Sequence, residues 1–159
     1  GWNEIHREDI DLSRLVEDSV EVFRRRALAT NALVRADISP DIHAEVDAEA
    51  FAIVISNLLE NAVKYGDDPA AVGIDLSMDG SRAVLEVRDN GAGISEEDVE
   101  LIFGRFYRGG DEMTRTARGT GLGLYLVQQI VEAHRGKVGV ASTGPTGTIF
   151  RVTVPGFEV

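Results

Sequence analysis

Apolar residues recur at helical spacing in three long stretches of the chain and alternate with polar ones in six shorter ones. After a polar lead-in, Leu12, Leu15, Val16, Ser19, Val20 and Phe23 fall on one face, which predicts a first amphipathic helix; Arg24, Arg25 and Arg26 at its end suit the negative pole of the helix dipole. Residues 32–38 and 42–46 alternate around the turn sequence Ser39-Pro40-Asp41 and predict a hairpin of two short strands. Phe51, Val54, Ile55, Leu58, Leu59 and Ala62 form the apolar stripe of a second helix from about Ala48 to Tyr65, which Gly66 stops.

Val72 to Met78 and Arg82 to Arg88 then alternate around Asp79-Gly80, a strong two-residue hairpin signal. Ser95-Glu96-Glu97-Asp98 is a cap pattern opening a short helix that carries Val99, Leu101 and Ile102. Residues 107–118 lack apolar periodicity and are rich in Gly and Arg, the mark of a mobile surface loop. A long helix from Leu122 to His134, ended by Gly136, precedes strands at 137–142 and 147–154 around Gly144-Pro145. Together these predict an α+β fold: a two-layer sandwich in which about three helices cover one mixed, mostly antiparallel sheet.

Composition narrows the function classes. With 159 residues, 43% hydrophobic and 27% charged, the chain is sized for one globular domain. It opens Gly1-Trp2 with no initiator Met, no leader and no apolar run near the roughly 20 residues that span a bilayer, so it reads as an excerpt that does not enter a membrane. The lack of Cys rules out a disulfide framework and a thiolate metal site, which suits the cytoplasm. A net charge of −11 disfavours nucleic acid and anionic membrane surfaces. Arg105, Arg108, Arg115 and Arg118 nevertheless cluster with only Asp111 and Glu112 between them, enough for a small polyanion.

Four segments could carry chemistry. On the second helix, Asn57, Asn61, Lys64 and Tyr65 share one stripe beside the apolar one. A solvated face is the bland account, but two Asn are poor helix formers that an exposed face does not need. An amide oxygen suits Mg²⁺, and a Lys one turn on would meet the phosphates that the metal carries. Next, Asp89-Asn90-Gly91-Ala92-Gly93-Ile94 has the residues of a hairpin turn, yet a helix cap follows it. In a bend of that kind two glycines let the backbone approach a flat ligand while a carboxylate accepts from an exocyclic amine, so Asp89 would select adenine.

The third segment, Phe103-Gly-Arg105-Phe106-Tyr107-Arg108, combines core-type aromatics with guanidinium groups suited to a γ-phosphate on a closing loop. The fourth, Gly119-Thr120-Gly121-Leu122-Gly123-Leu124, puts a Gly-rich loop at a helix N-terminus, where free amides and the dipole favour anions. It is not a dinucleotide fingerprint, since no strand precedes it and the third glycine is misplaced, and the chain contains no P-loop.

In this order the four segments closely resemble the N box, first glycine box, F box and second glycine box of sensor histidine kinases. These belong to the wider Bergerat-fold superfamily that includes gyrase, the heat-shock chaperones and the mismatch-repair ATPases. The resemblance covers roughly residues 45–155 and implies the same α+β sandwich, with a flexible ATP lid. It also implies roles at matching positions: Asn61 as the Mg²⁺ ligand, Lys64 as a phosphate contact, Tyr65 beside the nucleotide and Asp89 as the adenine reader. Gly91, Gly93 and Ile94 would form the bend around the base. Arg105 and Arg108 would border the lid, with Arg108 reaching the γ-phosphate, and Gly119, Thr120, Gly121, Leu122, Gly123 and Leu124 would line the phosphates. Asn57 stands where the ATP-hydrolysing relatives carry a Glu that activates water, which favours a kinase.

On the resemblance, residues 1–10 end a linker from a histidine-bearing dimerisation segment and 11–159 form the catalytic ATP-binding domain. The implied activity is transfer of the γ-phosphoryl of Mg·ATP to a histidine, with Asn57, Lys64 and Arg108 in the catalytic machinery and relay to a response regulator. The family's acceptor His is followed at once by an acid, whereas His6 precedes Arg7, His43 precedes Ala44 and His134 precedes Arg135. The acceptor is therefore expected on another segment, His134 being explained by its helix's negative end and His6 and His43 as surface residues. The implied setting is a cytoplasmic domain of a protein that can be anchored in the inner membrane. An anti-sigma-type serine kinase shares the nucleotide motifs, and a module that binds nucleotide without transfer stays open beside it.

Overall fold

The computed structural model describes residues 4–104 and 123–159. A five-stranded sheet forms the base, in the order β2 (Leu33–Ile38), β4 (Ala71–Asp79), β5 (Arg82–Arg88), β7 (Gly147–Pro155) and β6 (Lys137–Gly144). β2 runs parallel to β4, and every other pairing in this sheet is antiparallel. A second, antiparallel sheet has the order β1 (Glu8–Asp11), β3 (Ile42–Val46) and β8 (Phe157–Glu158). Helix α2 (Ala48–Tyr65) lies between α1 (Leu12–Arg26) and α4 (Gly123–Ala133), and a one-turn helix α3 (Glu96–Val99) follows β5. The architecture is the α+β layering expected, with a small second sheet added.

The core lies between the helices and the large sheet because period 3.6 and period 2 each deliver one apolar face. Phe51, Val54, Ile55, Leu58, Leu59 and Ala62 of α2 are buried against Ile74 and Leu76 of β4, Leu85 and Val87 of β5, and Val127, Ile130 and Val131 of α4. Side-chain caps begin the helices: Asp11 accepts from the Arg14 N–H, Asp47 from the Ala50 N–H and Ser95 from the Asp98 N–H.

The hairpin expected around Ser39-Pro40-Asp41 does not form. Both strands exist, but β2 pairs with β4 in the large sheet and β3 with β1 and β8 in the small one. The Ser13 hydroxyl, buried on α1, donates to the Ser39 carbonyl at 2.6 Å and accepts the Ile42 N–H at 3.0 Å. The helix thus takes the backbone groups at the turn, and Asp41 at φ 61° turns the chain away. β1 occupies part of the polar lead-in and spans the 10/11 boundary expected from sequence.

Candidate functional site

The last two turns of α2 form one wall of the site. Asn57 is half-buried; its Nδ2 donates to the Ile53 carbonyl at 3.0 Å. Its Oδ1 faces the first turn of α4, where a Cβ on Gly123 would stand 3.4 Å away. One turn on, the half-buried Asn61 carboxamide has no hydrogen-bond partner among the described residues. Lys64 and Tyr65 are exposed, and the Lys64 Nζ sits 5.0 Å from the Tyr65 ring centroid. From Asn57 to Tyr65 the stripe extends about 12 Å along the helix axis, from the start of α4 to the bend after β5.

At the bend, Asp89 is 8% exposed. Its Oδ1 takes both available donors, the Gly91 N–H at 2.8 Å and the Thr148 N–H at 3.2 Å. Among the described residues no donor reaches Oδ2. The backbone is gripped as well, since the Asp89 N–H donates to the Thr148 carbonyl at 2.9 Å. One carboxylate oxygen is therefore committed to holding the side chain still, leaving the other able to accept from a ligand.

The two glycines of the bend also make room for the protein's own backbone. A Cβ on Gly91 would overlap the Tyr65 carbonyl oxygen at the end of α2, and one on Gly93, at φ 91°, would overlap the Gly144 carbonyl oxygen in the β6–β7 turn. Their missing side chains let the protein's own backbone close around Asp89. Ile94, half-buried, donates its N–H to the Thr143 Oγ1 at 2.8 Å, and Thr143 and Thr148 join their hydroxyls at 2.8 Å. Sequence reasoning missed this threonine pair. The available signal was Thr148 itself, a polar residue in register with the buried Phe150, Val152 and Val154 of β7.

The structure thus brings Asn57 to Gly123 at one end and Tyr65 to Gly91 and Asp89 at the other. Leu124 follows Gly123 in the first turn of α4 and packs against the core. Arg105, Arg108, Gly119, Thr120, Gly121 and Leu122, and with them the Phe106 and Tyr107 aromatics and the expected lid, lie outside the described residues; Phe103 meets Phe150 edge-on at 6.1 Å. Among the described residues no cluster of His, Cys, Asp or Glu could hold a metal.

None of the three histidines borders this site. His134 is buried, with Nδ1 donating to the Ile130 carbonyl at 2.7 Å and Nε2 accepting the Asp47 N–H at 3.0 Å. His134 thus fastens α4 to the start of α2 while its Nδ1 meets a carbonyl at the negative, C-terminal end of its own helix, as the sequence suggests. His43 pairs with Asp9 at 3.0 Å and lies against Phe157, and the His6 N–H donates to Asp47.

Comparison with known proteins follows the same lines. The profile of the histidine kinase-, DNA gyrase B- and HSP90-like ATPases matches residues 46–157. The sensor histidine kinase RppB of Synechocystis sp. is 35% identical over 149 residues, which take in 93% of this chain and 33% of RppB. The sensor histidine kinase WalK of Bacillus subtilis is 31% identical over 154 residues, 96% of this chain and 25% of WalK. The chain therefore spans a third or less of these two relatives. Among solved structures, the mycobacterial sensor histidine kinase MprB is 29% identical with a TM-score of 0.83, covering 96% of this chain and 100% of that one. Full-length ShkA in complex with AMPPNP is 25% identical with a TM-score of 0.82, covering 100% of this chain and 33% of ShkA.

Proposed function

The chain belongs to the family of histidine kinase-, DNA gyrase B- and HSP90-like ATPases, and from that premise we propose that it is the catalytic ATP-binding domain of a sensor histidine kinase. It binds Mg·ATP and passes the γ-phosphoryl group to a histidine on a dimerisation segment of the same protein, from which a response regulator receives it. The names of RppB, WalK and MprB support the histidine kinase branch of the family. Asn57 supports it too, because a carboxamide already donating to the Ile53 carbonyl is a poor base for activating water.

The observation that carries the nucleotide reading is Asp89. A nearly buried carboxylate with Oδ1 doubly bonded and Oδ2 unclaimed fits the exocyclic amine of adenine, and rejects a base with a carbonyl in its place. Asn61 fits Mg²⁺ as a single neutral oxygen donor. With no carboxylate cluster among the described residues, the phosphates and water would complete the shell. The bound ion would neutralise phosphate charge. Lys64 and the amides at the start of α4 orient the phosphates, and Arg108 is assigned to the γ-phosphate. Phosphoryl transfer depends chiefly on positioning and charge neutralisation, which these groups supply. The nucleophile comes from elsewhere: His134 has both nitrogens engaged, and neither His6 nor His43 borders the site.

Calorimetric titration with a non-hydrolysable ATP analogue, with and without Mg²⁺, tests the assignment on wild type and Asp89→Asn. The asparagine keeps an oxygen for the Gly91 and Thr148 amides but turns a donor toward the base. Affinity should fall by about 2–3 kcal/mol, roughly 30- to 150-fold, with the fold kept. A folded wild type that does not bind the analogue would refute the proposal.

A further inference from the structure

Asn90 stands next to the adenine-reading carboxylate, but its side chain engages a different segment. Its Oδ1 accepts the Asp67 N–H at 2.9 Å and its Nδ2 donates to the Pro69 carbonyl at 3.2 Å. Both backbone groups belong to the loop that leaves α2 directly after Tyr65 and Gly66. The neighbouring Gly91 lies against the Tyr65 carbonyl. Asn90 and Gly91 therefore clasp the end of α2 and the loop beyond it to the bend that carries Asp89. Asn90 is only half-buried and lies outside the hydrophobic core. Its two bonds tie the bend to the loop that follows α2.

We propose that Asn90 is a positioning residue that sets the spacing between Asp89 and the α2 stripe of Asn61, Lys64 and Tyr65, so that one nucleotide engages both at once. The inference rests on the nucleotide reading above. A base alone meets only the Asp89 end, whereas a metal-bound triphosphate must also meet the stripe. If the clasp is cut, the two ends sample other spacings, and a ligand that spans them bears the cost of restoring the right one. A ligand confined to one end does not.

The test compares two ligands on folded protein: adenosine, followed by NMR titration, and the Mg²⁺ complex of a non-hydrolysable ATP analogue, followed by calorimetry. In Asn90→Ala the analogue should bind about tenfold more weakly, while adenosine changes by less than about twofold. Asn90→Ser, too short to make both bonds, serves the same comparison should the alanine variant fail to fold. Ser13→Ala, which strips two hydrogen bonds from the turn between β2 and β3, is the control for general loosening and should leave both affinities within about twofold. Equal losses for the two ligands, or no loss for either, would overturn the inference while leaving the nucleotide reading intact. A wild type that binds neither ligand would overturn both.

Discussion

Gly91→Ala separates two reasons for placing a glycine beside a ligand. If the residue is small so that a nucleotide can lie against it, alanine lowers affinity and leaves the empty protein as stable as before. The geometry points the other way. The added methyl overlaps the Tyr65 carbonyl oxygen and comes within 3.2 Å of the Asp89 Oδ1, so the conflict exists with no ligand bound. Its partner is backbone at the end of a helix, so relief requires the last turn of α2 to move against the bend. Over-packing costs about 1–3 kcal/mol, and a backbone partner places this case near 3. Gly80→Ala supplies the reference: Gly80 sits at φ 60° with nothing within 4 Å of the added atom, so it bears only the left-handed penalty of about 1–2 kcal/mol. Urea unfolding of the two variants and wild type measures the difference directly. Gly91→Ala should lose about 3 kcal/mol, worth roughly 6–12 °C in melting temperature for a domain of this size. A Gly91→Ala variant that unfolds with the wild type and fails only to bind nucleotide would refute the reasoning and restore the ligand-contact account.

Substitutions at two further positions probe α2 and its cap. Asp47 caps the helix while accepting the His6 N–H, and that bond, then the Ala50 N–H, holds its carboxyl below the ordinary 3.8. Asp47→Ala should cost about 1 kcal/mol in urea unfolding near neutral pH. A depressed folded value means the stabilisation is present above the unfolded value and is lost as pH falls through the folded one, so the stability gap between wild type and Asp47→Asn should close in acid below 3.8. A gap that persists there would contradict the assignment. For Asn61→Ala, whose carboxamide has no partner among the described residues, stability should stay within about 0.5 kcal/mol. Calorimetry should then show Mg²⁺ no longer strengthening binding of the ATP analogue; undiminished Mg²⁺ dependence would rule out Asn61 as the metal ligand.

Where a signal is local, the sequence alone was sufficient. The apolar stripe from Phe51 to Ala62 and the stop at Gly66 place α2 at Ala48–Tyr65, and Asp79-Gly80 between two alternating runs places the β4–β5 hairpin. Both follow from periods and turn residues within a few positions of each other. The order of four motifs likewise identified the family, because each needs particular residue types at fixed offsets. Partner choice is different. Alternation makes 33–38 and 42–46 strands but says nothing of which sheet each joins, and a buried Ser13 hydroxyl 26 residues from Ser39 decided it. β1 and β8 are too short and polar to carry a period, and they exist because β3 lies between them.

The site divides in the same way. The motifs single out Asp89, Gly91, Asn61 and Lys64 as candidate site residues. That Gly91 accommodates the Tyr65 carbonyl, that Thr148 and Thr143 fasten the bend, and that Asn90 clasps the loop after α2 were decided by tertiary structure. A motif records which residue types a site needs. Contacts between groups 21 to 59 residues apart are settled only when the layers pack, since hydrogen-bond partners are chosen by distance in space, which residue spacing along the chain does not encode.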